Sequence, residues 1–230
     1  VPDNFKNWFI VRFDRKIRDF QIYDGTKPVE GEQLVGEHAL VRVGFETRRG
    51  EQVTVRAASS FISQMQAVQN LEELGKDDFE TVKAKAQARW DEVLGRIEVE
   101  GGTTDQYRTF YSCLYRSTLF PRKFYEIDKN GNILHYSPYN GEVLPGYMYT
   151  DTGFWDTFRS LFPLLNLVYP SVNAEIQAGL ANAYRESGFL PEWASPGHRG
   201  CMVGNNSASV VSDAILKGVT PEEDIATLYE

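Results

Sequence analysis

The 230 residues are 42% hydrophobic and 13% aromatic, which is enough apolar material for one large domain or two small ones. With 24 basic and 32 acidic residues the formal net charge is −8, and no basic stripe interrupts the sequence, which argues against a nucleic-acid partner. The two cysteines, Cys113 and Cys201, belong to no CxxC or Cys/His pattern, so no zinc site is indicated and a disulfide between them stays undecided.

No apolar run approaches the ~20 residues that a membrane-spanning helix needs. The segment Val1–Phe9 also lacks the charged start and apolar core of a signal peptide. Both termini suggest that the sequence is a segment of a longer protein. At the C-terminus, for example, the residues after Pro221 predict a helix that has only begun. We therefore expect an internal piece of a larger protein.

The first part of the chain alternates apolar and polar residues with a period of two. Segments rich in β-branched and aromatic residues predict four strands, at Trp8–Phe13, Ile17–Asp24, Ala39–Thr47 and Val53–Phe61. Gly50, within Arg48–Gln52, predicts a hairpin turn between the last two strands. Because one face of the strands is polar, we expect an antiparallel sheet that packs as a sandwich or against another layer.

From Ser63 onwards the period changes to that of helices. Amphipathic helices are predicted at Ser63–Leu74 and Asp77–Ile97, and the second is expected to link two domains. A helix at Asp105–Phe120 is apolar nearly all round and is ended by Pro121, so we expect it to be buried in a helical array. Antiparallel helix pairs are predicted beyond it, from Trp155–Tyr169, Ser171–Ser187, Asn206–Lys217 and a helix starting at Pro221.

A tyrosine-rich segment, Arg122–Thr152, separates the two groups of helices. Its turn signals and aromatic side chains are unusual for a mere connection, and long ordered loops of this kind tend to line a site. The sequence DKNGN at Asp128–Asn132 resembles part of a calcium-binding loop, but it lacks the closing glutamate, so a solvated turn is favoured.

Several kinds of catalytic site are excluded by the motifs that are missing. The three histidines, His38, His135 and His198, are scattered, and no nucleophile elbow, HExxH motif or glycine-rich phosphate loop occurs. Nucleophilic hydrolase and nucleotide-binding functions are therefore disfavoured.

The most informative stretch is Tyr149–Arg159, in which Trp155 and Asp156 stand side by side at a predicted helix start. An aromatic ring that stacks on the C–H face of a sugar, beside a carboxylate that accepts from its hydroxyl groups, predicts a carbohydrate site. The alternative is a core tryptophan followed by an aspartate that the helix dipole favours. Glu192 beside Trp193 is a second candidate, as a catalytic or hydroxyl-binding carboxylate, and its alternative is a surface glutamate after a proline.

Polar residues near the last helices have structural interpretations. Asp213 lies among small apolar residues and is expected to be a structural hydrogen-bonding group. Asn205, Asn206 and Ser207 could bind hydroxyl groups, but a helix N-cap role is favoured.

Four motifs, in this order, closely resemble glycoside hydrolase family 92: SSFISQMQAVQNLEEL, WDEVLGRIEVEGGTTDQYRTFYSCLYRSTLFPRKFYEID, YTDTGFWDTFRSLFPLLNLVYP and GFLPEWASPGHRGCMVGNNSASVVSDAILKG. Family members are exo-acting α-mannosidases, abundant in glycan-degrading gut bacteria. The resemblance implies an α+β chain in which residues 1–62 are the C-terminal part of a β-sandwich domain, 63–102 are linker helices and 103–230 begin an (α/α)6 catalytic barrel. It also implies inversion at the anomeric carbon, calcium (Ca2+) in the active site, and a mannose-containing glycan as substrate.

The resemblance assigns few site residues to this chain. The family's general acid, calcium-binding carboxylate and base lie in EGN, GNEPSHH and GNDD type motifs, none of which occurs in the 230 residues, so these groups and the metal ligands are expected outside the chain. The family's WD pair, which reaches the terminal mannose, carries over onto Trp155 and Asp156. Glu192 has no secure counterpart and stays a weaker catalytic candidate.

Two other classes of function stay open. One is a non-catalytic carbohydrate-binding or interaction module, and the other is a different (α/α)6 carbohydrate-active enzyme, such as a lyase or a trehalase-like hydrolase. The family resemblance further suggests the periplasm or cell surface of a bacterium as the location of the protein.

Overall fold

The elements of the chain change from strands to helices where the sequence period changes. The computed structural model describes residues 1–230 and is α+β, with five small antiparallel sheets and eight helices. The strands are β1 (Trp8–Phe13), β2 (Asp19–Asp24), β3 (Lys27–Val29), β4 (Ala39–Gly44), β5 (Val55–Ser60), β6 (Arg122–Lys123), β7 (Glu126–Ile127), β8 (Ile133–Tyr136), β9 (Val143–Pro145), β10 (Tyr149–Thr150), β11 (Thr152–Gly153) and β12 (Trp193–Ala194). The helices are α1 (Gln64–Glu72), α2 (Phe79–Leu94), α3 (Thr104–Ser117), α4 (Phe154–Thr157), α5 (Leu161–Val168), α6 (Pro170–Ser187), α7 (Asn206–Leu216) and α8 (Glu222–Tyr229). No helix is both long and apolar enough to span a bilayer.

The N-terminal strands form two sheets, and neither contains the predicted hairpin. β1 pairs with β5, whereas β4 pairs with β2, which also carries β3. The expected pairing of β4 with β5 is wrong, because each strand has another partner and the connection Phe45–Thr54 is much longer than a hairpin turn. Gly50 still turns the chain, with a φ of +87° that favours glycine.

Side-chain caps fix the starts of the first three helices. Ser63 accepts a hydrogen bond from the N–H of Gln66 at 3.0 Å, and Asp78 accepts from Thr81 at 2.8 Å. Thr103 forms a capping box with Gln106. Each cap satisfies N–H groups that the helix itself leaves free.

The third helix is not the fully buried one that its composition predicts. On α3 only Leu114 is buried, and the partly buried Phe110 and Tyr111 pack beside it. Arg108 and Arg116 are exposed on the same helix, which is therefore amphipathic. Cys113 on this helix is exposed and free, as is Cys201, so no disulfide joins them.

The main core lies where α4 to α8 meet. Its buried apolar residues are Leu114, Tyr149, Phe154, Phe162, Leu165, Tyr169, Ile176, Leu180, Ala181, Val210, Val211 and Leu228. Pro170 starts α6, and Gly188 ends it with a φ of +80°, the left-handed conformation that glycine adopts without strain.

The predicted helix Trp155–Tyr169 is divided into α4 and α5. Pro163 has no N–H, and in a continuous helix its ring would collide with the carbonyl of Arg159 four residues earlier. The helix breaks over Phe158–Ser160, so Pro163 falls in the first turn of α5, where proline is tolerated. Trp155 and Asp156 therefore lie on a single helical turn.

The start of α7 corrects another expectation. Asn205 occupies the N-cap position with a ψ of 60°, outside the extended conformation of capping residues, and it makes no side-chain cap hydrogen bond. Asn206 donates instead to the carbonyl of Val203, and the hydroxyl of Ser207 is buried without a partner. Asn205 thus holds the N-cap position that was predicted, but no side chain caps the helix with a hydrogen bond.

A chain of amide side chains crosses the core between α5, α6 and α7. Gln177 donates to Asn173 Oδ1, and Asn173 donates to Asn166 Oδ1. Asn166 in turn donates to Asp213 Oδ2 at 2.8 Å. Asn173 and Gln177 are fully buried. Asp213 is the structural hydrogen-bonding group predicted from the sequence.

Acid is expected to weaken this junction through Asp213. Its hydrogen bond from Lys217 Nζ, at 2.7 Å, and the bond from Asn166 hold the pKa of the Asp213 carboxyl below its ordinary value. Because the pKa is lower in the folded state, Asp213 stabilises the fold above its unfolded pKa of about 3.9, and this stabilisation is lost as the pH falls through the folded pKa. Asp213→Asn should therefore flatten the acid limb of a stability profile measured by urea unfolding, and an unchanged slope would contradict this assignment.

The tyrosine-rich segment folds into short strands that pack on the helices. Asp128 accepts hydrogen bonds from the N–H groups of Asn130 and Asn132, so DKNGN is the predicted turn, here between β7 and β8. Tyr125 and Tyr149 both donate to Glu175 Oε2, at 3.1 and 2.6 Å. Burial is the main cause that raises the pKa of Tyr149, and the hydrogen bond to Glu175 is the second. Both keep the hydroxyl protonated. These two tyrosines thus have structural contacts.

Glu126 joins this segment to the N-terminal part of the chain. Its Oε1 accepts from the N–H of Phe61 at 2.8 Å, and its Oε2 accepts from Asn70 Nδ2 at 2.7 Å. Glu126→Ala would leave both donors without this acceptor, and we expect the free energy of unfolding to fall by about 1–3 kcal/mol. Urea unfolding measures this loss, and Glu142→Ala, at an exposed glutamate of the same segment, is the control that should change little.

Candidate functional site

A two-residue strand pair brings the candidate segments together. β11 pairs with β12, so that Gly153 lies opposite Trp193 and Thr152 lies opposite Ala194. The N–H of Phe154 also donates to the carbonyl of Glu192 at 3.0 Å. The backbones of Tyr149–Arg159 and of the Glu192 region, which are separate motifs in the sequence, are therefore neighbours.

Asp151 makes the turn that leads into this strand pair. Its φ of +57° is in the left-handed region, which is uncommon for a residue other than glycine but is tolerated best by Asn and Asp. Its Oδ1 accepts from Ser195 Oγ at 2.9 Å, and Thr150 Oγ1 donates to the carbonyl of Pro196 at 3.0 Å. These bonds fasten the loop after β12 to the turn before β11.

Trp155 is an exposed aromatic ring with one covered face. Its exposed fraction is 44%, so the interpretation as a core tryptophan does not hold. The guanidinium of Arg159, one helical turn later, lies 5.0 Å from the ring centroid and donates to the carbonyl of Trp155 at 3.0 Å. This cation–π contact covers part of one face of the ring, and the exposed fraction shows that much of Trp155 still meets solvent.

Asp156 is an exposed carboxylate with no hydrogen-bond donor from the chain. It lies next to Trp155 in the first turn of α4. Neither of its oxygens takes part in an ion pair or a side-chain hydrogen bond within residues 1–230. Both oxygens are therefore free to accept from a ligand, and a carboxylate makes stronger bonds to hydroxyl groups than a neutral acceptor does.

Glu192 is only partly brought to this pair. Its carbonyl accepts from the N–H of Phe154, and the residue lines a depression of about 600 Å³ together with Tyr184, Phe189, Asn205 and Tyr229. Neither Trp155 nor Asp156 lines that depression. Glu192 therefore lines a depression that the tryptophan–aspartate pair does not share.

Four residues of this region were not predicted as site residues: Asp151, Gly153, Arg159 and Trp193. The spacing of Trp155 and Arg159, four residues apart on a predicted helix, was the available signal for their contact. Asp151 follows a threonine and precedes Thr-Gly, which is a weak turn signal. Nothing in the sequence indicates that Trp193 faces Gly153, because their pairing depends on the tertiary fold.

No metal cage is formed by the residues of this chain. No group of three or more His, Cys, Asp or Glu side chains converges within residues 1–230. His135 has both ring nitrogens engaged, by the carbonyl of Gly146 and by Glu186, and His198 contacts Ser187. Calcium takes six to eight oxygen ligands, so these residues alone do not fit the ion.

An exposed aromatic ring beside an unpaired carboxylate suits a carbohydrate ligand, and comparison with known proteins identifies the class of protein as glycoside hydrolases. The family model described as "Glycosyl hydrolase family 92 catalytic domain" matches residues 66–230. The chain belongs to glycoside hydrolase family 92.

Solved structures of the family have the same fold. The family GH92 inverting mannosidase BT2199 from Bacteroides thetaiotaomicron VPI-5482 is 48% identical, with a TM-score of 0.93 over 98% of this chain and 31% of its own. The family GH92 α-mannosidase BT3965 from the same species, in complex with mannoimidazole, is 28% identical, with a TM-score of 0.81 over 96% of this chain and 30% of its own.

A curated relative from a fungus is also similar. It is an uncharacterized secreted glycosidase of Arthroderma benhamiae (strain ATCC MYA-4681 / CBS 112371), 28% identical over 184 residues, which are 77% of this chain and 19% of the relative. The chain thus spans less than a third of the length of each of these relatives.

Proposed function

We propose that this chain is the sugar-binding part of an inverting, exo-acting α-mannosidase that releases terminal mannose from glycans. The observation that carries the proposal is the exposed ring of Trp155 beside the unpaired carboxylate of Asp156. Both solved relatives are mannosidases, which supports mannose as the sugar, and the 48% identical relative is an inverting mannosidase, which supports inversion.

In this proposal each residue has a binding role. The exposed ring of Trp155 packs against the C–H groups of the terminal mannose, and Arg159 covers part of one face of the ring. The two oxygens of Asp156 accept hydrogen bonds from sugar hydroxyl groups and so fix the orientation of the ring. Their contribution is binding and orientation, which raises the rate when it is stronger in the transition state.

Inversion requires two further carboxyl groups. One protonates the leaving oxygen and the other activates a water molecule on the opposite face of the sugar, and the two stand roughly 6.5–9.5 Å apart. In this proposal they and the calcium ligands come from parts of a family member beyond the matched segment. Calcium, when bound, would hold sugar hydroxyl groups as a hard oxygen-binding ion.

The domain division is part of the same proposal. The two antiparallel sheets of residues 1–62 would belong to a β-sandwich, and residues 63–102 would be the linker. Residues 103–230 would begin an (α/α)6 barrel, which the contacts of α6 with α5, α7 and α8 support.

The test is hydrolysis by the complete gene product. Purified protein with calcium should release mannose from a p-nitrophenyl α-mannoside, proton NMR should show β-mannose as the first product, and chelation should stop the reaction. A folded protein that releases no mannose, or releases α-mannose first, would overturn the proposal.

A binding module without catalysis is the second candidate, favoured because Glu192, the weaker catalytic candidate, lines a depression that Trp155 and Asp156 do not line. Calorimetric titration of residues 1–230 with mannose, together with an assay of the complete gene product, separates the two functions. Mannose binding without any hydrolysis by the complete gene product would favour the module.

A further inference from the structure

The direction of the Asp156 side chain needs a cause other than hydrogen bonding. Its oxygens accept no hydrogen bond from the chain, and the residue is exposed. A carboxylate that is free for a ligand is useful only when it points in one direction, because misplacement of about 1 Å can cost 100-fold in rate. Packing against a neighbouring side chain is one way to fix it.

Trp193 supplies that neighbour. A Cβ atom placed on Gly153 would lie 2.3 and 2.4 Å from Cε3 and Cζ3 of the Trp193 ring, and 2.9 Å from Asp156 Oδ2. The Cε3–Cζ3 side of the indole ring and the carboxylate oxygen therefore both lie close to the point where a side chain of residue 153 would begin. Any side chain at position 153 would occupy this point.

The chemistry of both groups allows them to lie side by side. The C–H groups at Cε3 and Cζ3 of Trp193 carry partial positive charge, so the approach of a carboxylate oxygen to them is favourable. Such a contact uses no strong donor and leaves the oxygens free for hydroxyl groups. The backbone of Trp193 is itself held, since its carbonyl accepts from the N–H of Arg199 at 2.9 Å and it pairs with Gly153.

We propose that Trp193 is a positioning residue, which rests its ring edge on Gly153 and so directs the Asp156 carboxylate toward the sugar. The inference depends on the proposed function, in which Asp156 binds mannose. It adds that position 153 must be glycine, because a larger residue would collide with the Trp193 ring and the Asp156 carboxylate. The backbone at Gly153, with φ of −106° and ψ of 122°, would suit alanine, so any effect of a methyl group there comes from its collision with Trp193 and Asp156.

A double-mutant cycle in the complete gene product tests this. Gly153→Ala and Trp193→Ala should each lower kcat/KM for the α-mannoside by about 10- to 100-fold. Once the ring is gone, the added methyl group should cost much less, so the double variant should be nearly as active as Trp193→Ala alone. Trp193→Phe, which keeps an aromatic ring edge, should recover most of the activity.

The control is Gly200→Ala, since a methyl group there meets nothing within 4 Å and the glycine has no positive φ. It should leave kcat/KM and the thermal unfolding midpoint unchanged. Losses that simply multiply in the double variant, or a fully active Gly153→Ala, would overturn the positioning role while leaving the mannosidase proposal intact. A wild-type protein without mannosidase activity would instead overturn the proposed function and this inference with it.

Discussion

Asp156→Asn is expected to lower kcat/KM for an α-mannoside by about 100-fold or more, the equivalent of about 3 kcal/mol. Asparagine keeps the shape of the side chain, but it loses the charge and replaces one acceptor oxygen with an NH2 group. Two hydrogen bonds from sugar hydroxyl groups to a carboxylate would thus be weakened or lost. Steady-state kinetics of the complete gene product measure the change.

Folding should be unaffected, because Asp156 bonds to no other residue of the chain. The matched control is Glu223→Gln, which makes the same change of charge at an exposed acid in the first turn of α8. It should alter kcat/KM less than twofold. If Asp156→Asn kept wild-type kinetics while remaining folded, Asp156 would not be a sugar-binding residue.

Asn173→Ala is expected to reduce the free energy of unfolding by about 3 kcal/mol. The amide of Asn173 is fully buried, donates to Asn166 and accepts from Gln177. Its removal leaves a buried acceptor and a buried donor without partners, and each costs about 1–3 kcal/mol. A small cavity between α5 and α6 adds to the loss. Urea unfolding measures the difference.

Gln87→Ala serves as the control, because this amide lies on the exposed side of α2. Its effect should stay within about 0.5 kcal/mol. A loss for Asn173→Ala no larger than the control's would show that the amide chain is not needed to join the helices.

Much of the local structure could be predicted because it depends on neighbours in the sequence. The alternation in Trp8–Phe13 gives β1 with the predicted limits, and the capping residues Ser63 and Thr103 mark where α1 and α3 begin. The predictions fail where a partner distant in the sequence determines strand pairing, or where one residue interrupts a helix. β5 pairs with β1 and not with the nearer β4, and Pro163 divides a helix that hydrophobicity alone predicts as continuous.

The candidate site was predictable in composition but not in geometry. Trp155 and Asp156 could be chosen because an aromatic and a carboxylate side by side suit a sugar. The roles of Gly153 and Trp193 could not, since only the pairing of β11 with β12 shows that the ring edge occupies the place of a side chain. Glu192 was predicted as a site residue, and its backbone does lie beside α4. It nevertheless lines a depression that Trp155 and Asp156 do not line.

The pairing of β11 with β12 also bears on the order in which the chain folds. Two short strands close a loop that contains α4, α5 and α6, and their few hydrogen bonds repay little of the entropy that closing such a loop costs. Contacts of this kind form once the enclosed helices have docked and shortened the distance between the strand ends. The ring edge of Trp193 would then reach Asp156 late in folding, and local opening of this strand pair would release the carboxylate while the helices remain packed.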